Sequence, residues 1–153
     1  MTPVDNSEPL LAWSTPIVAL VVAAGGGLAL GIAALAAPIE GPGRLLVGLA
    51  ALGLLVIAGL GFRQRPRILV SSTTPPGLVV NRLRGPVEYR RDQITRVRIV
   101  TYPRLGRRVP MLEIDVAAGD DERLLIFGRW DLGTHPQDVF DALAVQGLVP
   151  GEN

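Results

Sequence analysis

The apolar and polar positions of this chain fall into two regimes that meet at Arg63. Before it, two stretches run without a charge, 21 residues at 17–37 and 18 residues at 45–62, split by the link PIEGPGR. A helical residue rises about 1.5 Å, so these reach roughly 32 and 27 Å, and about 20 apolar residues are needed to cross hydrocarbon. They predict a two-helix transmembrane hairpin over 15–62. From Arg67 onward, short runs of Val, Ile and Leu alternate with polar positions, punctuated by Gly and Pro. Strands are expected at 67–71, 77–83, 87–90, 94–102, 109–117 and 123–127, separated by TTPPG, RGP, RRD, PRLGRR and AGDDE. A single helix closes the chain. Thr134-His135-Pro136-Gln137 has the form of a capping box with proline in the first turn. Val139, Phe140, Leu143 and Ala144 follow at helical spacing, and Gly147 stops the helix. The organisation read from this pattern is a tail at 1–14, the hairpin at 15–62 and a β-rich domain at 63–153.

The first apolar stretch carries eight Ala and four Gly, including Gly25-Gly26-Gly27 and the pair Gly27 and Gly31 four apart. Lipid tails are as apolar as leucine, so helices in a bilayer associate by close backbone approach, which small residues permit. Either Gly27 and Gly31 pack against Gly48, Gly53 and Gly59 of the second helix, which the short link favours, or they form a dimer face. Neither span holds a charge, which argues against a transporter or proton relay. Ala34-Leu35-Ala36 offers a signal-cleavage pattern, but the leader has no Lys or Arg and carries Asp5 and Glu8, so the span is read as retained. Arg63, Arg65 and Arg67 follow the second helix directly, whereas the link holds only Arg44 beside Glu40. The positive-inside rule then puts the domain and both termini on the cytoplasmic side of a bacterial plasma membrane, with Trp13 near the interface.

Charge is unevenly divided. Residues 63–110 hold twelve Arg against Glu88 and Asp92, while 111–153 hold Arg123 and Arg129 against nine acids. A hairpin turning at Leu105-Gly106 sets Arg98 opposite Glu113 and Arg96 opposite Asp115, both on an outer face, with Val97, Ile99, Leu112, Ile114 and Val116 inward. Opposite charges across a ladder contribute roughly 0.2–1 kcal/mol each. The basic strand therefore finds its acids inside the domain. Six arginines are left over as candidate lipid or partner contacts: Arg63, Arg65 and Arg67 beside the bilayer, and Arg104, Arg107 and Arg108 at the hairpin tip near Tyr102. For the tip, a solvated charged turn and a ligand contact are both open. All fifteen basic residues are Arg, a sign of GC-rich codon usage.

Catalytic chemistry is not legible. There is no Cys, and the single His135 sits in a capping region, where His135 with Asp138 would give too few ligands for a metal. Asp120-Asp121-Glu122 after Gly119 has the form of a hairpin turn. No phosphate-binding loop, dinucleotide fingerprint or nucleophile elbow occurs. No enzyme activity and no cofactor are expected, and balanced arginines with few aromatics disfavour nucleic acid.

Three runs carry a resemblance: Asp92-Gln93-Ile94-Thr95-Arg96-Val97-Arg98, Gly106-Arg107-Arg108-Val109-Pro110-Met111-Leu112-Glu113-Ile114, and Leu125-Ile126-Phe127-Gly128-Arg129-Trp130-Asp131-Leu132-Gly133 ahead of Pro136-Gln137-Asp138-Val139-Phe140-Asp141-Ala142-Leu143. With the two-helix anchor in front, they resemble the bacterial pleckstrin-homology (PH-like) domain membrane proteins of actinobacteria. The similarity is greatest to the low-molecular-weight protein antigen 6 type and covers roughly 63–148. It implies an α+β chain: a transmembrane hairpin, then a bent antiparallel PH-like barrel or sandwich with one C-terminal helix. It also implies a protein-interaction or scaffolding role. In phosphoinositide-binding PH domains the first strand-to-strand loop is basic. Here the corresponding loop, 71–77, has no basic residue, so specific phosphoinositide recognition is not expected. The leading function is a membrane-anchored module docking a protein partner at the cytoplasmic face. The alternatives are an anionic-lipid sensor pressing its arginines on headgroups, and an accessory subunit of a larger membrane complex.

Overall fold

Proline marks where both apolar helices begin. In the computed structural model, which describes residues 10–38, 40–119 and 121–151, α1 spans Ile17–Ala36 directly after Pro16. Helix α2 spans Gly41–Arg63 with Pro42 in its first turn, where the missing N–H would have had no partner anyway. The acidic leader residues Asp5 and Glu8, and Asp120, lie outside the described residues. The chain divides into one unit, Thr15–Arg65, and a second made of the residues before and after it.

Within the first unit, α1 and α2 pack antiparallel. Buried Leu20 lies against Gly61, and Gly27 lies against Ala51 and Leu55. A Cβ on Gly27 would stand 2.9 Å from Leu55 Cγ and 3.1 Å from the Ala51 carbonyl oxygen, so this is where the backbones need glycine. Gly31 faces Ala51 more loosely. Gly48, Gly53 and Gly59 do not meet Gly27 or Gly31, and each faces open space. The inward side of α2 runs instead through Ala51, Leu54, Leu55, Ala58 and Gly61, which meet α1 or are buried. Only 17% and 11% of the apolar windows of α1 and α2 are buried. A soluble core helix would be mostly buried, whereas these present side chains such as Val18, Leu35 and Leu46 outward. Both are long and apolar enough to cross a membrane, and they fit a membrane-associated module.

The described residues of the second unit form seven β-strands. Its first strand, β1, is Leu11–Trp13, within what the sequence pattern reads as a tail. It pairs antiparallel with β2 (Ile68–Val70), Leu11 opposite Val70 and Trp13 opposite Ile68. β3 (Leu78–Arg82) and β4 (Gly85–Tyr89) complete a sheet of order β1-β2-β3-β4. A second sheet, order β5-β6-β7, comprises β5 (Ile94–Arg104), β6 (Arg107–Ala118) and β7 (Asp121–Phe127). All six expected strands are present within a few residues. Among the described residues the two sheets share no ladder, so the architecture is a sandwich, not a closed barrel. A short helix α3 (Arg129–Leu132) leads to α4 (Pro136–Val145), capped by His135, one residue later than the capping box implies. Gly147, at φ +69°, ends α4 in the left-handed conformation that glycine accepts readily. Ile68, Val70, Leu78, Leu112, Ile114, Val116, Phe127, Val139 and Leu143 form one core between the sheets and α4.

The location of β1 changes the loop assignment. The first strand-to-strand connection of the sandwich is the whole helical hairpin, between Trp13 and Ile68. The 71–77 loop is the second connection, because a three-residue strand is too short to leave a periodic signal in sequence.

Candidate interaction surface

The outer face of the three-stranded sheet contains a buried charge. The hairpin register is the expected one, Arg98 opposite Glu113 and Arg96 opposite Asp115, with an irregularity at Thr95 whose hydroxyl donates to the Asp115 carbonyl at 3.1 Å. Val97, Leu112, Ile114 and Val116 point inward and are buried, as the alternation requires. Glu113, however, is only 1% exposed although it lies on the outward face. Its Oε2 accepts from Arg98 Nε at 2.7 Å and lies 2.7 Å from Nη2 in an ion pair, and its Oε1 accepts from the Tyr102 hydroxyl. Of the two expected ion pairs, this is the one that closes. The Tyr102 hydrogen bond, with Arg98 behind it, holds the Glu113 carboxyl below the usual carboxylate range against the opposing effect of burial. The same bond raises the Tyr102 phenol.

Beside this cluster the face also carries apolar side chains. Leu124 and Ile126 on β7 stand 48% and 42% exposed, beside half-buried Val100 and Met111. Ile126 lies opposite Glu113 and Leu124 opposite Asp115. Alternation over 123–127 marks both as outward, and it is their aliphatic character that the strand pattern alone leaves unexplained.

Beyond this face the β5–β6 pair continues as a two-stranded ribbon. β7 pairs with β6 only from Leu112 to Ala118, so among the described residues 107–111 have no strand partner on that side. Pro110 helps end the ladder, since it has no N–H to donate. The ribbon reaches about 17 Å past the sheet at roughly 3.4 Å per residue. It turns at Leu105 and Gly106, both with positive φ. Arg104, Arg107 and Arg108 are all exposed at this tip, Arg104 directly opposite Arg107. The other three candidate arginines lie elsewhere. Arg63 is exposed in the last turn of α2, and Arg65 is half-buried. Arg67 turns into the domain, with Nε 3.9 Å from Asp131 Oδ1 and Nη1 3.4 Å from the Asn81 carbonyl. Further arginines are structural: Arg82 donates to the Tyr89 hydroxyl at 2.5 Å, and Arg91 donates to the Gly147 and Val149 carbonyls.

No group of three His, Asp or Glu side chains able to hold a metal occurs among the described residues. His135 Nδ1 accepts from the Gln137 N–H at 3.2 Å, a capping role. On the helical unit an open apolar groove of about 500 Å³ is lined by Ala34, Leu35, Arg44, Leu45, Gly48 and Leu52 among others.

Two antiparallel sheets closed by a C-terminal helix define the class, a PH-like sandwich. A family model described as Bacterial PH domain matches residues 65–148, and the chain belongs to that family. Two uncharacterized proteins of Mycobacterium tuberculosis, Rv0010c and MT0013, are each 38% identical over 136 residues, covering 89% of this chain and 92% of theirs. That similarity extends well beyond the domain into the helical segment. No solved structure matches. PH domains are typically non-catalytic interaction modules.

Proposed function

We propose that this protein is a membrane-anchored interaction module whose PH-like domain holds a protein partner at the cytoplasmic face. The observation that carries this reading is the outer sheet face, where exposed Leu124 and Ile126 flank an ion pair already satisfied inside the domain. Exposed apolar side chains beside polar ones suit a protein contact, and Glu113 itself brings no unsatisfied charge to it. The cytoplasmic assignment is supported by Arg63, Arg65 and Arg67 outweighing Arg44 and Glu40 across the helices.

Affinity purification of the full chain from native membrane in mild detergent tests the reading. A specific partner is expected with the parent chain and with Val145→Asp, a control on exposed α4 surface. It should be lost with the pair Leu124→Asp and Ile126→Asp. Recovery of the same partner from the β7 variant would overturn the assignment of this face. Single cysteines in this cysteine-free chain test orientation: Glu122→Cys should react with impermeant maleimide only after spheroplasts are lysed.

A further inference from the structure

Leucine is a poor residue for the first position of a turn with positive φ. Leu105 has φ +46° and Gly106 φ +75°. Two-residue hairpin turns of this kind favour Asn, Asp or Gly, which tolerate the left-handed region. Packing does not compensate, because the Leu105 side chain is fully exposed at the ribbon's end. Beside it, Arg104 opposite Arg107 is a like-charge cross-strand pair, which opposes hairpin formation. The tip thus combines an unfavourable backbone choice, an exposed apolar side chain and unshared positive charge within five residues.

Such a tip becomes favourable against a surface that accepts cations and an apolar group at adjacent depths. An anionic leaflet does this, with phosphates at the headgroup level and hydrocarbon just beneath. A convex two-residue tip offers far less than the ~800 Å² per partner of a standard protein interface. Pro103 and Pro110 remove two backbone donors from the ribbon, which discourages strand addition along it.

We propose that the β5–β6 ribbon is a membrane foot. Leu105 inserts below the headgroups of an anionic leaflet, and Arg104, Arg107 and Arg108 engage lipid phosphates. The inference rests on the membrane-anchored reading and is independent of the protein partner on β7.

The chain has no cysteine, so single labels are unique. Full-length protein carrying a fluorophore at Leu105→Cys is reconstituted into bilayers with doxyl-quencher lipids, either phosphatidylglycerol mixed with phosphatidylcholine or phosphatidylcholine alone. Labels at Ile32→Cys in α1 and Glu122→Cys at the far end of the β-sheet serve as references. The expected result is quenching at 105 in the anionic bilayer only, with 32 quenched in both and 122 in neither. Raising salt from 0.1 to 1 M shortens the screening length from about 10 to 3 Å and should release position 105 but not 32. Replacing Arg104, Arg107 and Arg108 with Gln should lower the seated-to-unseated ratio roughly 100-fold, at about fivefold per arginine. Quenching at 32 without quenching at 105 overturns the foot and leaves the anchor standing. Absence of quenching at both overturns the anchor and the foot together. Shielding of 105 that appears only in native membranes, and not in pure lipid, overturns the foot in favour of a protein contact.

Discussion

At neutral pH the Glu113 carboxylate must stay ionised while almost wholly covered, and an uncompensated buried charge would be strongly destabilising. Arg98 and Tyr102 together satisfy both of its oxygens. The sign of the linkage follows from the shifts. Glu113 is held below the ordinary glutamate value of about 4.3, so its stabilising contribution is full above that pH and drains as pH falls through the lower folded value. Tyr102 is raised, so its contribution is full below about 10 and is lost as pH rises through the higher folded value. Urea midpoints measured across pH should therefore show a plateau with an acid limb and an alkaline limb. Glu113→Gln should flatten the acid limb, and Tyr102→Phe the alkaline one. Unchanged limbs in either variant would place the titrating groups elsewhere. Arg98→Met alone should destabilise at neutral pH, while Arg98→Met with Glu113→Met should recover most of the loss, because no charge is then left buried.

Elements show which sequence signals were legible and which were not. Helix pairing depends on Gly27 and Gly61, the positions where an added Cβ would collide, at 2.9 Å from Leu55 and 2.3 Å from Leu20 respectively. Gly27→Val should weaken the helical hairpin by about 1–3 kcal/mol through overpacking. Gly48→Val should leave it intact, as read by steric trapping or unfolding in detergent. Equal losses would mean the packing face is wrong. Gly27 was legible because it lies in a Gly-rich run at helical spacing. Its partners were not, since glycine content does not fix which side of α2 turns inward. The β5–β6 register was readable to the residue because alternating arginines and acids can be aligned in only a few ways around one turn. The burial of Glu113 was not, because alternation gives a residue's face and says nothing of what Arg98, Tyr102 and their neighbours cover. β1 escaped entirely: Leu11–Trp13 carries too few residues to display a period of two.

For the whole molecule, β1 imposes a constraint that neither unit carries alone. Strand Leu11–Trp13 precedes the helices and strand Ile68–Val70 follows them, yet they are direct neighbours in one sheet. If the helices cross a membrane, both must cross, because a single crossing would leave β1 and β2 on opposite sides. The helical hairpin is then an insertion into the sandwich, and the domain needs residues from both flanks to complete its first sheet. Leu11 and Trp13 also pack partly buried against the core. A chain of 66–153 alone should therefore lose about 2 kcal/mol of stability from those contacts and expose β2 as a bare edge prone to aggregate. Joining residues 10–14 directly to 66 through a short Gly-Ser loop should restore cooperative unfolding and solubility without any helix. Comparing urea midpoints and light scattering of the two forms decides the matter. Equal stability would mean that β1 contributes nothing, and the constraint on crossing number would go with it.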